Sequence, residues 1–184
     1  MTASTKLKVS VFMAISLDGF IARPDGDVAW LHEGEPIGDG EDAGYGAFFN
    51  SIDVLVMGRG SFEKVREFDP WPYGSKPVIV LSKSLTEVPE KLRDHVKIEP
   101  TSPQELVEKL SREGNKHMYL DGGKVIQSFL QAGLVDEMTL TIIPILIGKG
   151  IPLFGELEND LRLRHIETRS WHNGFVQSKY QVLK

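Results

Sequence analysis

The chain has 184 residues, 41% of them apolar and 26% charged, with a formal net charge of −5 and no cysteine. That length and apolar share suffice for one well-buried core, while the missing cysteines exclude disulfides, thiolate nucleophiles and cysteine-ligated metals. The acidic balance argues against a general binder of nucleic acid or membrane surfaces, although a local basic pocket for phosphates is compatible with it.

The first residues, Met1–Val9, contain no apolar stretch of the kind a secretion signal needs. The longest apolar run, Ile142–Ile147, is far short of a membrane span. A cytoplasmic protein of one domain, 1–184, is the expectation.

In chain order, Lys8–Ile15 reads as a strand and Ala43–Ser51 as a helix presenting Ala47, Phe48 and Phe49. The apolar run Val54–Met57 follows, then a helix from Ser61 to about Phe68, a second run Val78–Leu81, and the ambiguous Val96–Ile98. Ser102-Pro-Gln-Glu105 opens a helix with a capping signature: Ser102 at the N-cap, Pro103 in the first turn, Glu105 closing the box. Leu106, Val107 and Leu110 form its buried face, and Gly114 supplies the stop.

Met118–Leu120 is a further buried strand, and Lys124–Ala132 a helix ended by Gly133. Runs apolar at every position suit interior strands of a parallel sheet covered on both sides. The last part changes style, with strands over Glu137–Pro144 and Phe175–Leu183 and the turn pair Asn173-Gly174. The sum is an α/β fold, mostly parallel, finished by an antiparallel hairpin.

Two places run from strand through glycine into helix: Val54-Leu-Val-Met-Gly58-Arg59-Gly60-Ser61 and Met118-Tyr-Leu-Asp-Gly122-Gly123-Lys124. Glycines either permit a tight turn or let the backbone approach a ligand, and a helix start offers free N–H groups to an anion. On parallel strands both turns would share one carboxyl edge, where open α/β sheets bind ligands. Neither matches the dinucleotide or ATP loop fingerprints. The run Val78–Leu81 ends in Ser82 and Lys83 rather than an acid, which with Arg59 suits a 2′-phosphate and hence NADPH. As ordinary solvated loop residues, Lys83 and Ser84 would carry no such meaning.

These residues resemble the dihydrofolate-reductase-like superfamily, in the branch related to the C-terminal reductase domain of the bifunctional riboflavin-biosynthesis deaminase/reductase. The match lies in Ile15-Ser-Leu-Asp-Gly-Phe-Ile-Ala22, Val54–Phe62, Pro77–Ser82, and above all Leu120–Leu130 with Gly133-Leu-Val-Asp-Glu137 and Ile143–Gly150. It spans nearly the whole chain, with Glu156–Trp171 contributing least. The resemblance implies a three-layer fold with a mixed, mostly parallel sheet flanked by helices. It implies nicotinamide contacts from Ala14 and Ile21, and phosphate contacts from Gly58, Arg59 and Ser61. Ser82 and Lys83 would meet the 2′-phosphate, and Gly122, Gly123, Lys124, Val125 and Ile126 would form the pyrophosphate turn. A homodimer through the C-terminal strands is implied too, with the apolar Thr139–Ile147 and Ile151–Phe154 stretches as either its surface or internal core.

Two carboxylates compete for the catalytic role. Asp18 matches an active-site aspartate of the riboflavin branch, although Asp-Gly is also a common turn pair. Asp42 stands sixteen residues before Gly58, the spacing of the substrate-binding acid in dihydrofolate reductases; Glu41-Asp42 equally suits a helix start. Trp30 either walls a site or packs in a core. The five histidines show no metal-ligand spacing.

Pro70-Trp-Pro-Tyr-Gly-Ser-Lys-Pro77 lacks the arginine with which folate enzymes grip their substrate. The expected activity is therefore NADPH-dependent hydride transfer to a small heterocycle, in the manner of 5-amino-6-(5-phosphoribosylamino)uracil reduction. A dihydrofolate- or pterin-reductase-like enzyme and a non-catalytic NADPH-binding protein are the alternatives.

Overall fold

Val54–Met57 and Val78–Leu81 are apolar throughout because each lies inside a sheet packed on both faces. The computed structural model describes residues 6–184. Its elements are β1 (Lys8–Ser16), β2 (Phe20–Ala22), α1 (Tyr45–Ser51), β3 (Val54–Gly58), α2 (Arg59–Val65), β4 (Val78–Leu81), β5 (Val96–Glu99) and α3 (Pro103–Arg112). They continue with β6 (His117–Asp121), α4 (Gly123–Gln131), β7 (Glu137–Ile143), β8 (Ile151–Pro152), β9 (Leu163–Ser170) and β10 (Val176–Val182).

The main sheet has the order β5-β4-β3-β6-β1-β7-β10-β9. From β5 to β7 all neighbours are parallel, and β10 and β9 complete the sheet antiparallel. β2 and β8 pair separately as a short ribbon. β6 enters between β3 and β1, so the chain's direction of growth reverses at the middle of the carboxyl edge, the place where such sheets hold ligands.

Alternation along the strands assigns residues to two cores. Val9, Val11, Val54, Val56, Met118 and Leu120 face α3 and α4, with Leu106, Leu110, Ile126 and Phe129 buried against them. Leu55, Met57, Val78, Val80 and Tyr119 face α1 and α2, meeting Phe62, Tyr45, Phe48 and Phe49. This is a three-layer α/β arrangement with a parallel sheet covered on both sides.

The α3 capping box forms as expected: Ser102 Oγ accepts from Glu105 N at 3.3 Å, and Glu105 Oε2 accepts from Ser102 N at 2.8 Å. The structure departs from the sequence expectation at two helix boundaries in particular, and in one strand. α1 begins at Tyr45 because Ala43 and Gly44 both have positive φ. α2 begins at Arg59 and ends at Val65, so Gly58 is ordinary extended backbone and Gly60 lies inside a helix. β9, which follows no apolar alternation, is an edge strand exposed at every residue, paired only with β10.

Candidate active site

Four strand ends meet at the centre of the carboxyl edge. After β6, Gly122 takes φ +90° and ψ 138°, a conformation that side chains resist. A Cβ on Gly123 would stand 2.7 Å from Pro152 O and 3.3 Å from Ile21 Cδ1. Both glycines are thus required by the fold itself: one by its backbone angles, the other by the β2–β8 ribbon lying across it. The same geometry leaves α4 without a side-chain cap, so its leading N–H groups and the positive end of its dipole stay available to an anion.

Ser61, in the first turn of α2, sits beside this turn: its Cβ lies 3.5 Å from the point a Gly122 Cβ would occupy. Val125 Cγ2 stands 3.2 Å from the corresponding point on Gly58, so the two turns pack side by side. One strand further out, Arg59 Nη1 donates to Ser84 Oγ at 3.2 Å and its Nε donates to Glu63 at 2.6 Å. Ser82 Oγ accepts from Ser84 N and Leu85 N at 3.3 and 3.1 Å, ordering that loop, while Lys83 is exposed. The donor set fits a dinucleotide bearing an extra phosphate: cations and hydroxyls at β3–β4, open N–H groups at β6–α4. Lys124 is exposed at the α4 start, and Ala14 and Ile21 are half-buried on the β1 side. Ile126 offers such a ligand nothing, because its side chain is fully buried and its N–H is bonded to Gly122 O at 3.0 Å.

Asp18 acts as a clamp. Its Oδ1 accepts from Ser16 Oγ at 2.6 Å and Ile147 N at 3.3 Å, and Oδ2 accepts from Gly148 N at 2.7 Å. The Ser16 hydroxyl, then the Gly148 and Ile147 amides, hold the carboxyl below its ordinary pKa. An ionised acceptor so occupied is poorly suited to giving a proton. Asp42 is exposed and caps the entry to α1, accepting from Gly44 N at 2.8 Å and Gly46 N at 2.7 Å. The two carboxylates are therefore both committed to backbone N–H groups. Trp30 is buried, 1% exposed, in the 3-10 turn Ala29–Leu31.

A third carboxylate, not singled out by the sequence, stands in the middle. Asp121 ends β6, pairs in register with Met57 of β3, and immediately precedes Gly122. Tyr45 from α1, Tyr73 from the α2–β4 segment and Tyr119 from β6 lie near enough to feel its charge. Burial, partly offset by the Gly122 amide and the Tyr73 hydroxyl, pushes its pKa up to about 6. In return, burial and the nearby Asp121 charge raise Tyr45 to about 12 and push Tyr73 and Tyr119 upward. The signal was in the sequence, an acid directly before the glycine pair, but nothing local set it apart from a turn residue.

Among the described residues no group of His, Cys, Asp and Glu is placed to hold a metal, and no helix is long and apolar enough to cross a membrane.

The chain is 34% identical over 160 residues to the uncharacterised protein YwjB of Bacillus subtilis, covering 85% of this chain and 88% of YwjB. It superposes with TM-score 0.91 and 40% identity on a Shewanella sp. PV-4 protein assigned provisionally to riboflavin biosynthesis, covering 97% of this chain and all of that one. The dihydrofolate reductase of Enterococcus faecalis, solved with NADP(H), shares the fold at TM-score 0.68 and 17% identity, over 96% of this chain and 97% of that one. The profile of the RibD C-terminal domain family matches residues 7–177, and the chain belongs to that family.

Proposed function

We propose that the protein is an NADPH-dependent reductase of a small heterocyclic ring. The observation that carries this is the pair of strand–glycine–helix turns side by side at the switch point of the sheet, with Asp121, its pKa raised by burial to about 6, directly before the uncapped α4. A proton donor is most effective when its pKa lies near the working pH.

Bound cofactor would supply the hydride. Gly123, Lys124 and Val125 would present N–H groups to its pyrophosphate, Ser61 would lie beside them, and Arg59, Ser82 and Lys83 would receive the 2′-phosphate. Ala14 and Ile21 would flank the nicotinamide. Asp18 would keep the loop after β1 joined to the loop after β7, and Asp121 would deliver the proton. Membership of the RibD C-terminal domain family favours a pyrimidine resembling 5-amino-6-(5-phosphoribosylamino)uracil as substrate. The arginine-free Pro70–Pro77 segment argues against folate.

A cytoplasmic location accompanies this function, since a cysteine-free chain gains nothing from an oxidising compartment. For the homodimer, β7 contributes little free surface, because Thr139–Ile143 is hemmed between β1 and β10. Leu146 and Phe154 in the expected stretches are 69% and 44% exposed, and the edge strand β9 offers a second surface, with Leu163 and Ile166 40% and 49% exposed; an unpaired sheet edge of this kind readily accepts a second strand.

Fluorescence titration tests the cofactor: NADPH should bind at least about tenfold tighter than NADH, a difference worth ~1.4 kcal/mol. Oxidation of NADPH should then follow addition of a pyrimidine from a panel that also holds pterins and dihydrofolate. Failure to bind NADPH removes the function; binding with no turnover across the panel leaves a cofactor-binding protein instead.

A further inference from the structure

Five polar side chains are buried among the described residues, and four of them, Ser10, Thr139, Thr141 and Gln177, share the α1-facing side of β1, β7 and β10. A buried polar group is costly unless it is bonded. Ser10 Oγ meets His117 Nε2 at 2.8 Å. Gln177 Nε2 donates to Ala43 O at 3.0 Å and to Thr141 Oγ1 at 2.9 Å. A carbonyl only accepts, so the first bond fixes which way the amide points, and Gln177 Oε1 is left without a partner among the described residues. Thr139, 9% exposed, has no partner there for its hydroxyl either. Unlike the hydroxyl of Thr101, it is not sealed from solvent.

Thr139 and Gln177 line one trough of about 220 Å³, which runs between α1 and the strands β7, β10 and β9. Phe48, stacked on Phe12 at 4.9 Å, forms its apolar wall. Ala14 is in register with Thr141, and Thr141 with Gln177, so one end of the trough shares a row with the proposed nicotinamide contact. The volume lies below the roughly 300–1,000 Å³ of pockets that hold a whole ligand and suits one arm of it. Charge decides which arm. Lys8 and Lys179 both pair with Glu137, at 3.1 and 3.3 Å, and Glu167 stands beside Arg169 on the same face of β9. Burial and the Lys8 charge hold the His117 ring below its ordinary pKa, so it is neutral at pH 7. A phosphate here would face two carboxylates with two of the three fixed cations already paired. A hydroxyl meets no such opposition, and it both donates and accepts.

We propose that this trough takes an uncharged, hydroxyl-bearing arm of the ligand, with Thr139 and Gln177 as the residues that read it. Gln177 Oε1 accepts from one hydroxyl or ring N–H, and the Thr139 hydroxyl bonds a second. That the ligand is the substrate rests on the reductase function above; the site itself does not. The substrate class narrows accordingly, to a pyrimidine whose sugar-like arm carries no phosphate.

The test is NMR of the full chain, cofactor-free and labelled at threonine methyls and glutamine side-chain amides, titrated with uridine and with uridine 5′-phosphate. Uridine should move the Thr139 methyl signal, identified by its loss in Thr139→Val, with a Kd on the order of 1 mM. Uridine 5′-phosphate should bind about threefold weaker or worse, because its charge meets the two carboxylates. In Thr139→Val, followed at the Gln177 amide, uridine should bind about fivefold weaker, the worth of one neutral hydrogen bond. A Thr139 signal that uridine leaves still, equal or tighter binding of the phosphate, or unchanged binding in Thr139→Val overturns the proposal. Should Thr139→Val fail to fold, the two titrations of the parent decide alone. A protein that binds uridine at Thr139 yet oxidises no NADPH keeps the site and loses the reductase function. One that oxidises NADPH with a pyrimidine while Thr139 stays still keeps the function and loses the site.

Discussion

The carboxylate of Asp18 accepts the backbone N–H of Gly148 at 2.7 Å, joining two loops 130 residues apart in sequence. A second bond, Leu17 N to Ile145 O at 2.9 Å, runs beside it. Together they hold the turn after β1 against the loop after β7.

Removing that carboxylate should therefore loosen the loop and spare the acid. In Asp18→Ala the amides of Ile147 and Gly148 should exchange with solvent about tenfold faster or more, since local opening governs their protection. The pH profile of NADPH oxidation should keep its alkaline limb. Because hydrogen bonds lower the Asp18 pKa in the fold, the stability it provides is complete at neutral pH and disappears only as pH falls through that lowered value.

Arg59 and Ser84 form one cation–hydroxyl pair at the ends of β3 and β4. Arg59→Ala should weaken NADPH binding by about 10- to 100-fold, the range for losing a charge-assisted hydrogen bond of about 1.5–3 kcal/mol. NADH, which has no 2′-phosphate, should bind almost unchanged. Paired fluorescence titrations measure the contrast, and a parallel loss for both nucleotides would contradict it.

Gly122→Ala should unfold at lower denaturant, by about 1–3 kcal/mol, because a side chain is strained at φ +90°. The added methyl also presses on Ser61. Equilibrium urea denaturation gives the value, and NADPH affinity should fall with it as the α4 start is displaced.

Asp121→Asn should slow NADPH oxidation by about 10²- to 10⁴-fold, the usual contribution of a positioned acid. Stability should move the other way. The folded pKa, about 6, lies above the ordinary carboxylate value, so the buried charge costs stability that is fully felt above pH 6 and is absent below about pH 4. The parent should gain stability as pH falls across that window, by up to about 3 kcal/mol for a shift of this size. The asparagine variant should not, and thermal melts at pH 4.5 and 7.5 separate the two.

For the dimer, sedimentation should give twice the chain mass, and Ile166→Glu on the exposed β9 should halve it. A parent that sediments at the mass of one chain ends the proposal.

Much of the fold was legible in the sequence because its signals are local. Val54–Met57 and Val78–Leu81 announce doubly covered strands by composition, Ser102 and Glu105 cap α3 within one helical turn, and Gly122, Gly133 and Gly174 mark turns by their own freedom of φ. What escaped was whatever depends on distant neighbours. β9 carries no alternating pattern and exists because β10 offers it a ladder. Asp18 and Asp42 are candidate acids by motif and spacing, and only the fold shows that each also accepts backbone N–H groups. Asp121 stands out by neither motif nor spacing, because the burial that raises its pKa is supplied by the assembled fold. Propensity and periodicity are properties of a stretch of chain, whereas desolvation is a property of an assembled environment. The sequence by itself determined where the strand–glycine–helix turns lie; only the tertiary structure decided which carboxyl beside them loses its water.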